Sequence, residues 1–295
     1  MTIQHLVISG GGPIMIQSLG AIQQLEENNL LNMKDIKSIY GTSSGAILGI
    51  LICLKYDWET INDYIIKRPW QDVFPITIQN IFDAYTKKGI FDIKNIEKCF
   101  KPLLDAKDIN MNINLEDFYN LTNIELHFFS FEINEYKVHD ISYLTYPKLS
   151  LMTAVQMTCG LPILVTPVCL EDKCFIDGGM ACNYPLKYCI ESGKSPDEIL
   201  GFKNKYSDVK KYINTESTLI DFLLNFLYKA VFSINTDHQQ PEITYEIMCD
   251  VNYLSIDTLQ QALSSIDVRR DLFNNGRDTA ELFLTKLKDC VQELS

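Results

Sequence analysis

Hydrophobic positions along the chain fall into short runs separated by glycine turns and amphipathic stretches. His5-Leu-Val-Ile-Ser9 is an apolar run of strand length and predicts a first buried strand. Gly10-Gly11-Gly12-Pro13 follows as a loop, and apolar residues at Ile16, Leu19, Ile22 and Leu25 predict a helix over 16–30. Asp35-Ile-Lys-Ser-Ile-Tyr40 alternates as a short strand does, and the apolar run over 46–54 suits a buried helix. The polar, aromatic region from 56 to 118 is expected to hold several helices. Residues 125–132 and 136–140 predict two strands paired around Asn134, and 150–159 is helical in pattern. Cys174-Phe-Ile-Asp177 reads as a short strand and Glu198-Ile-Leu-Gly-Phe202 as one more core strand. From about Thr215 onward the pattern is predominantly helical, ending in an amphipathic stretch over 278–294. Strand–helix alternation predicts an α/β layered fold: a mostly parallel central sheet flanked by helices, with a helical C-terminal part.

Composition narrows the function classes. With 295 residues, 46% of them hydrophobic, the chain can bury one large core. A formal net charge of −12 argues against nucleic acid as a partner, because phosphate neutralisation needs clustered Lys and Arg. It also disfavours general adsorption to an anionic membrane, a local patch excepted. The opening Met1-Thr-Ile-Gln-His5 lacks the basic start of a signal peptide. The apolar run over 46–54 is far short of the roughly 20 residues that span a bilayer. Nine cysteines, with Cys53, Cys99, Cys159, Cys169 and Cys290 in apolar stretches, show no paired metal-ligand spacing. Reduced, buried thiols in a cytoplasmic protein are expected, with no metal and no cofactor.

The chemistry concentrates in two segments. Gly41-Thr42-Ser43-Ser44-Gly45 has the Gly-x-Ser-x-Gly form of a nucleophile elbow, where a strand turns sharply into a helix and lifts a serine hydroxyl out of the backbone. Its flanks, a strand before and a buried helix after, are those the elbow requires; an ordinary glycine turn is the plainer reading. Gly10, Gly11 and Gly12 leave a strand and enter a helix, so their N–H groups can converge on a developing oxyanion. A phosphate cradle is the rival use. Met15 stands where a dinucleotide fingerprint needs its third glycine, and no Gly-Lys-Ser/Thr follows. A serine needs a base, and the four histidines are poorly placed: His5 and His127 sit in strands, His139 and His238 in polar stretches. Asp177 ends an apolar strand and is followed by Gly178 and Gly179, which carries a carboxylate to the sheet edge that holds the elbow. The same tripeptide also suits a simple turn.

The glycine triplet, the elbow and the later Asp-Gly-Gly, in that order, resemble the patatin-like phospholipases. Gly20-Ala-Ile-Gln-Gln-Leu-Glu26 is similar to that family's first helix. Cys159-Gly-Leu-Pro162 and Thr166-Pro-Val168 resemble the segment before its catalytic aspartate, and Asp177-Gly-Gly-Met-Ala-Cys-Asn-Tyr-Pro185 the stretch containing it. The likeness covers residues 5–190, a catalytic core; residues 191–295 are expected to add a strand and helices packed on the same domain. It implies a lipid acyl hydrolase with a Ser43–Asp177 dyad, no catalytic histidine, and the Gly10–Gly12 amides as oxyanion donors. The substrate would be a (lyso)phospholipid or acylglycerol ester.

One departure stands out: Ile14 and Met15 occupy positions where the family usually has a basic residue and a glycine. This favours a neutral acylglycerol or a lysophospholipid, and the apolar pair would widen the acyl-chain wall. A catalytically weak lipid- or protein-binding module on the same scaffold is the alternative. Lys203, Lys205, Lys210 and Lys211, with Phe202, Tyr206 and Tyr212, form a candidate for transient membrane contact, a solvated loop being the plainer reading. The apolar segment 213–234 suits core packing, or a helix covering the active site or forming a lipid-facing lid.

Overall fold

Five strands with buried faces assemble in parallel, and the rest of the chain is arranged around them. The computed structural model describes residues 2–206, 213–236, 241–251 and 256–293. In chain order, β1 (His5–Ile8) leads through the glycine loop to α1 (Met15–Glu27), and β2 (Ser38–Thr42) turns into α2 (Ser44–Cys53). The polar, aromatic region yields α3 (Trp58–Asn62), α4 (Trp70–Val73), α5 (Ile78–Lys87), β3 (Gly89–Phe91), α6 (Ile93–Asp105) and α7 (Leu115–Thr122). Then come β4 (Glu125–Glu132), β5 (Lys137–Ile141), α8 (Leu151–Cys159), β6 (Ile163–Val165), β7 (Val168–Leu170) and β8 (Lys173–Asp177). The C-terminal part holds α9 (Leu186–Glu191), β9 (Ile199–Tyr206), α10 (Leu219–Thr236), β10 (Tyr245–Val251), α11 (Ile256–Ser264) and α12 (Ile266–Glu293).

The sheet runs β10-β9-β1-β2-β4-β8-β7, with β5 paired to β4. Strands from β10 to β4 are parallel, whereas β8, β7 and β5 join antiparallel. β1 and β2 are buried at every position, as parallel strands covered by helices on both faces must be. The fold class is the predicted one.

Two elements differ from expectation. β10 lies in a region read as helical; its buried residues Ile247, Cys249 and Val251 alternate with outward ones, so it pairs as an edge strand on β9. Cys169 and Cys174 face each other across the β7–β8 hairpin and form a disulfide, where reduced thiols were expected. Cross-strand register, which a spacing along the chain does not display, brings them together. Cys53, Cys99, Cys159, Cys182, Cys189 and Cys249 are free thiols.

α12 lies along α1. A Cβ at Gly276 would sit 1.9 Å from the Gln17 carbonyl oxygen, so the two backbones touch where only hydrogen fits. Arg277 adds a bidentate pair to Glu27. Arg269, 2% exposed, donates to the carbonyls of Ile66, Arg68, Ala262 and Leu263 and so ties α12 to the ends of two other segments. These contacts seat the C-terminal helices beside the cleft described next.

Candidate active site

Ser43 stands at the turn between β2 and α2 with φ 53° and ψ −125°, a left-handed-side conformation that a serine adopts only where its surroundings enforce it. The enforcement is close packing. A Cβ at Gly45 would lie 2.3 Å from the Ile8 carbonyl oxygen, so α2 starts hard against β1 only because residue 45 is glycine. The Ser43 N–H donates to Thr158 Oγ1 at 2.9 Å, and Thr158 donates on to the Phe129 carbonyl, which ties the turn to α8 and β4. Thr42 Oγ1 donates to the Cys182 carbonyl at 2.8 Å.

Asp177 ends β8 beside this turn. Ser43 Oγ donates to Asp177 Oδ2 at 2.7 Å, and the Gly179 N–H donates to Oδ1 at 2.7 Å. One carboxylate oxygen thus faces the serine while the other is held by backbone. Asp177 is buried, and burial pushes its carboxyl from the usual range up to about 6, against the opposing pull of the Ser43 and Gly179 hydrogen bonds. At neutral pH the group remains mostly ionised, yet far more basic than a solvated aspartate.

The three loop glycines are not equivalent. Gly10 N–H donates to the Asn183 carbonyl at 3.3 Å, and Gly11 N–H to Ser44 Oγ at 3.1 Å. Gly12 begins a short 3₁₀ turn (Gly12–Ile14) and Ser44 begins α2, so both amides sit where a helix leaves its first N–H groups without an intrahelical partner. Gly11 and Gly10 were both expected to aim an amide at an oxyanion; each instead donates within the fold, and Gly10 anchors the loop. Its carbonyl also accepts from Asn183 Nδ2 at 3.1 Å and from Asn204 Nδ2, and Asn183 Nδ2 donates to the Tyr206 hydroxyl at 2.8 Å.

Two spaces open from the Ser43–Asp177 pair. The first, about 800 Å³, has a polar wall of Asn183, Asn204 and Tyr206 and an apolar wall that includes Leu224 and Leu227 of α10. The second, about 880 Å³, runs between Ile47, Phe100, Val155 and Leu164. It merges through Phe74, Leu259 and Leu263 with a further apolar stretch bounded by Met15, Tyr64 and Trp70. Cys159 lines this groove beside Ser43, and burial pushes its thiol well above the ordinary range, so it stays protonated.

Other expected residues fall elsewhere. His5 bonds Ser38 Oγ, His127 bonds Asp140 and His139 bonds Tyr146; His238 lies outside the described residues. None of the three described histidines bonds Ser43 or Asp177. Of the basic–aromatic cluster, Phe202 is core, Tyr206 faces the cleft, and Lys203 and Lys205 lie 3.7 and 3.8 Å from Glu246 and Asp250 of β10. Lys210, Lys211 and Tyr212 lie outside the described residues. Met15 does line the apolar groove, while Ile14 packs on the core. α10 is no ordinary packing helix, because its Leu224 and Leu227 wall the cleft.

The family model described as patatin-like phospholipase matches residues 6–190. The chain is 24% identical over 216 residues to the probable lipid hydrolase 463L of Invertebrate iridescent virus 6, covering 71% of this chain and 72% of that protein. It is 26% identical over 190 residues to the triacylglycerol lipase ptl3 of Schizosaccharomyces pombe, covering 57% of this chain but only 35% of the lipase. Among solved structures it is similar in fold to VipD from Legionella pneumophila, with a TM-score of 0.53 at 14% identity, over 97% of this chain and 67% of that one.

Proposed function

The chain belongs to the patatin-like phospholipase family, and on that premise we propose that it is a lipid acyl hydrolase cleaving carboxylic esters of (lyso)phospholipids or acylglycerols through an acyl-serine on Ser43. The observation that carries this reading is the 2.7 Å hydrogen bond from Ser43 Oγ to Asp177 Oδ2 at the head of an apolar groove.

Asp177 takes the Ser43 proton as Oγ attacks the ester carbonyl. The carbonyl π electrons move to oxygen, and the N–H groups of Gly12 and Ser44 hold the resulting oxyanion. Collapse of the tetrahedral species breaks the bond to the alkoxy oxygen, and Asp177 returns its proton to the departing alcohol. Water then attacks the acyl-serine, Asp177 again accepting the proton. The second collapse releases the fatty acid and restores the Ser43 hydroxyl. An aspartate does this work without histidine because its buried carboxylate is raised to about 6, close to the operating pH. The groove lined by Ile47, Phe100 and Val155 takes the acyl chain, and the polar wall of Asn183, Asn204 and Tyr206 faces the glycerol side.

A fluorophosphonate probe tests the nucleophile, with a panel of phospholipids and acylglycerols run alongside to assign the substrate. Labelling of the full chain that vanishes in Ser43→Ala, with fatty acid as product, is expected. Equal labelling of the variant, or no ester hydrolysis across the panel, overturns the reading in favour of a lipid- or protein-binding scaffold.

A further inference from the structure

α5 is an amphipathic helix mounted with its apolar face outward. Ile78, Ile81, Phe82 and Tyr85 follow the i, i+3, i+4, i+7 spacing of one helical stripe. That stripe ordinarily seeks the core, yet Ile78 is 76%, Phe82 73% and Tyr85 93% exposed. The helix instead rests on Ala84, which packs against the cluster of Ile90, Phe91 and Leu164, while Asn80 donates to the Pro75 carbonyl. α10 repeats the arrangement on the same cluster through Leu224, while its own stripe of Leu219, Phe222 and Phe226 faces solvent, Leu219 at 72% and Phe226 at 63%.

The position of these stripes says what would cover them. The cluster beneath both helices is the wall of the substrate space: Phe91 and Leu164 line the apolar groove, and Leu224 lines the polar-walled cleft. Two unpartnered apolar stripes therefore flank the route by which a lipid ester reaches Ser43. Their charge points to the kind of surface. The described charged side chains on α5, its C-terminal cap and α10 are Asp83, Asp221, Lys87, Lys88 and Lys229, nearly balanced in a chain whose formal charge is −12. An anionic bilayer would repel the body of the protein, and the described residues of the two helices offer it no basic patch in return. A zwitterionic or uncharged lipid surface gains the buried apolar area and meets no such repulsion.

We propose that the outward faces of α5 and α10 together seat the protein on a zwitterionic or neutral lipid surface, with the mouth of the Ser43–Asp177 cleft turned toward the lipid. The choice of lipid over a protein partner rests on the lipid-ester reading above, whereas the binding it predicts requires no chemistry. The full chain carrying Ser43→Ala is mixed with phosphatidylcholine vesicles and floated. It is expected to rise with them, and the added pairs Phe82→Asp with Tyr85→Asp, or Phe222→Asp with Phe226→Asp, are expected to lower the bound fraction at least tenfold. The same pairs placed in the Ser43 protein are expected to hydrolyse a monomeric short-chain ester at the unaltered rate, which separates docking from catalysis. A single Tyr85→Trp change, gentle to the fold, is expected to give a blue-shifted emission on adding vesicles. Failure to float, flotation unaffected by either pair, or flotation only with phosphatidylserine vesicles overturns the proposal. So does a dimer in solution that the substitutions dissociate, which would assign the stripes to a second copy of the chain.

Discussion

Ser43 and Asp177 stand 134 residues apart in the chain and 2.7 Å apart in space, joined by a hydrogen bond from the serine hydroxyl to a buried carboxylate. Replacing Asp177 with Asn keeps the size of the side chain, an acceptor for the Gly179 N–H and a polar group facing Ser43, but removes the base of the proposed mechanism. We expect kcat on a soluble ester to fall by about 10²–10⁴. Stability moves the other way. A carboxyl held near 6 instead of 3.8 favours the fold in its protonated form; that contribution is complete below 3.8 and lost as pH rises through 6. Ionising Asp177 thus costs the fold on the order of 3 kcal/mol. Above pH 6 the Asn variant is expected to melt several degrees higher than the native protein, with the gap closing near pH 4. Calorimetry across that range checks both the sign and the window.

On the proposed mechanism the same carboxyl sets the acid limb of activity. Only the ionised form accepts the serine proton, and its midpoint lies near 6. We expect kcat/KM on a monomeric ester to rise about tenfold per pH unit below 6 and to level off above it. A histidine-based site would place a midpoint in a similar range, so the decisive control is His127→Gln and His139→Gln. Neither substitution is expected to move the limb, because both rings bond away from the site.

Much of the architecture was legible because it rests on local pattern. The strands at His5–Ile8 and Glu125–Glu132 are apolar runs of the right length, and the glycines around Ser43 announce a turn that larger residues could not make. β10 escaped because Glu246 and Asp250 interrupt its apolar positions and helical segments surround it. Asn183, Asn204, Tyr206 and Thr158 escaped for a different reason. They are ordinary polar residues whose importance lies in partners far along the chain, such as the Gly10 carbonyl 173 positions from Asn183. No periodicity encodes such a bond. The unequal use of the three glycine amides likewise depends on which acceptors the fold brings to them, Asn183 O for Gly10 and Ser44 Oγ for Gly11.

His127 lies buried on β4, stacked on Tyr40 at 4.2 Å between ring centroids, with Nδ1 bonded to Asp140 at 2.8 Å. Its Nε2 lies 4.0 Å from Glu125, within reach of charge but too far for a hydrogen bond. Burial works to lower the imidazole's proton affinity, and the carboxylates of Asp140 and Glu125 outweigh it, so the ring titrates above its ordinary range. Glu125 in turn is held down at about 2, its interaction with His127 outweighing burial and Lys194 adding to it. The histidine's contribution to stability is therefore full below about 6.5 and lost as pH rises through its raised value. The glutamate's is full above about 4.5 and lost toward pH 2. We expect maximal stability from this network between those limits, and a shallower alkaline decline in melting temperature for His127→Gln. An unchanged slope would remove His127 from the account.

The apolar groove makes a prediction about chain length. Leu263, near the C-terminal end of α11, borders both halves of the groove: the one that holds Val155, Leu164 and the Ser43–Asp177 pair, and the one bounded by Met15, Tyr64 and Trp70. Leu263→Trp should narrow the passage between them and leave the near half, beside Val155 and Leu164, open. A short acyl chain is held by the near half alone, so its hydrolysis should hardly change. A long chain must give up the burial of the methylenes that reach past Leu263, at about 0.8 kcal/mol for each CH₂. Four such groups amount to roughly 3 kcal/mol, or a loss on the order of a hundredfold in kcat/KM. Rates measured on a series of monomeric esters of increasing acyl length should show the native protein rising with length and the variant flattening partway. If both rise in parallel, the acyl chain does not lie in this groove, and the polar-walled cleft under α10 becomes the path to test.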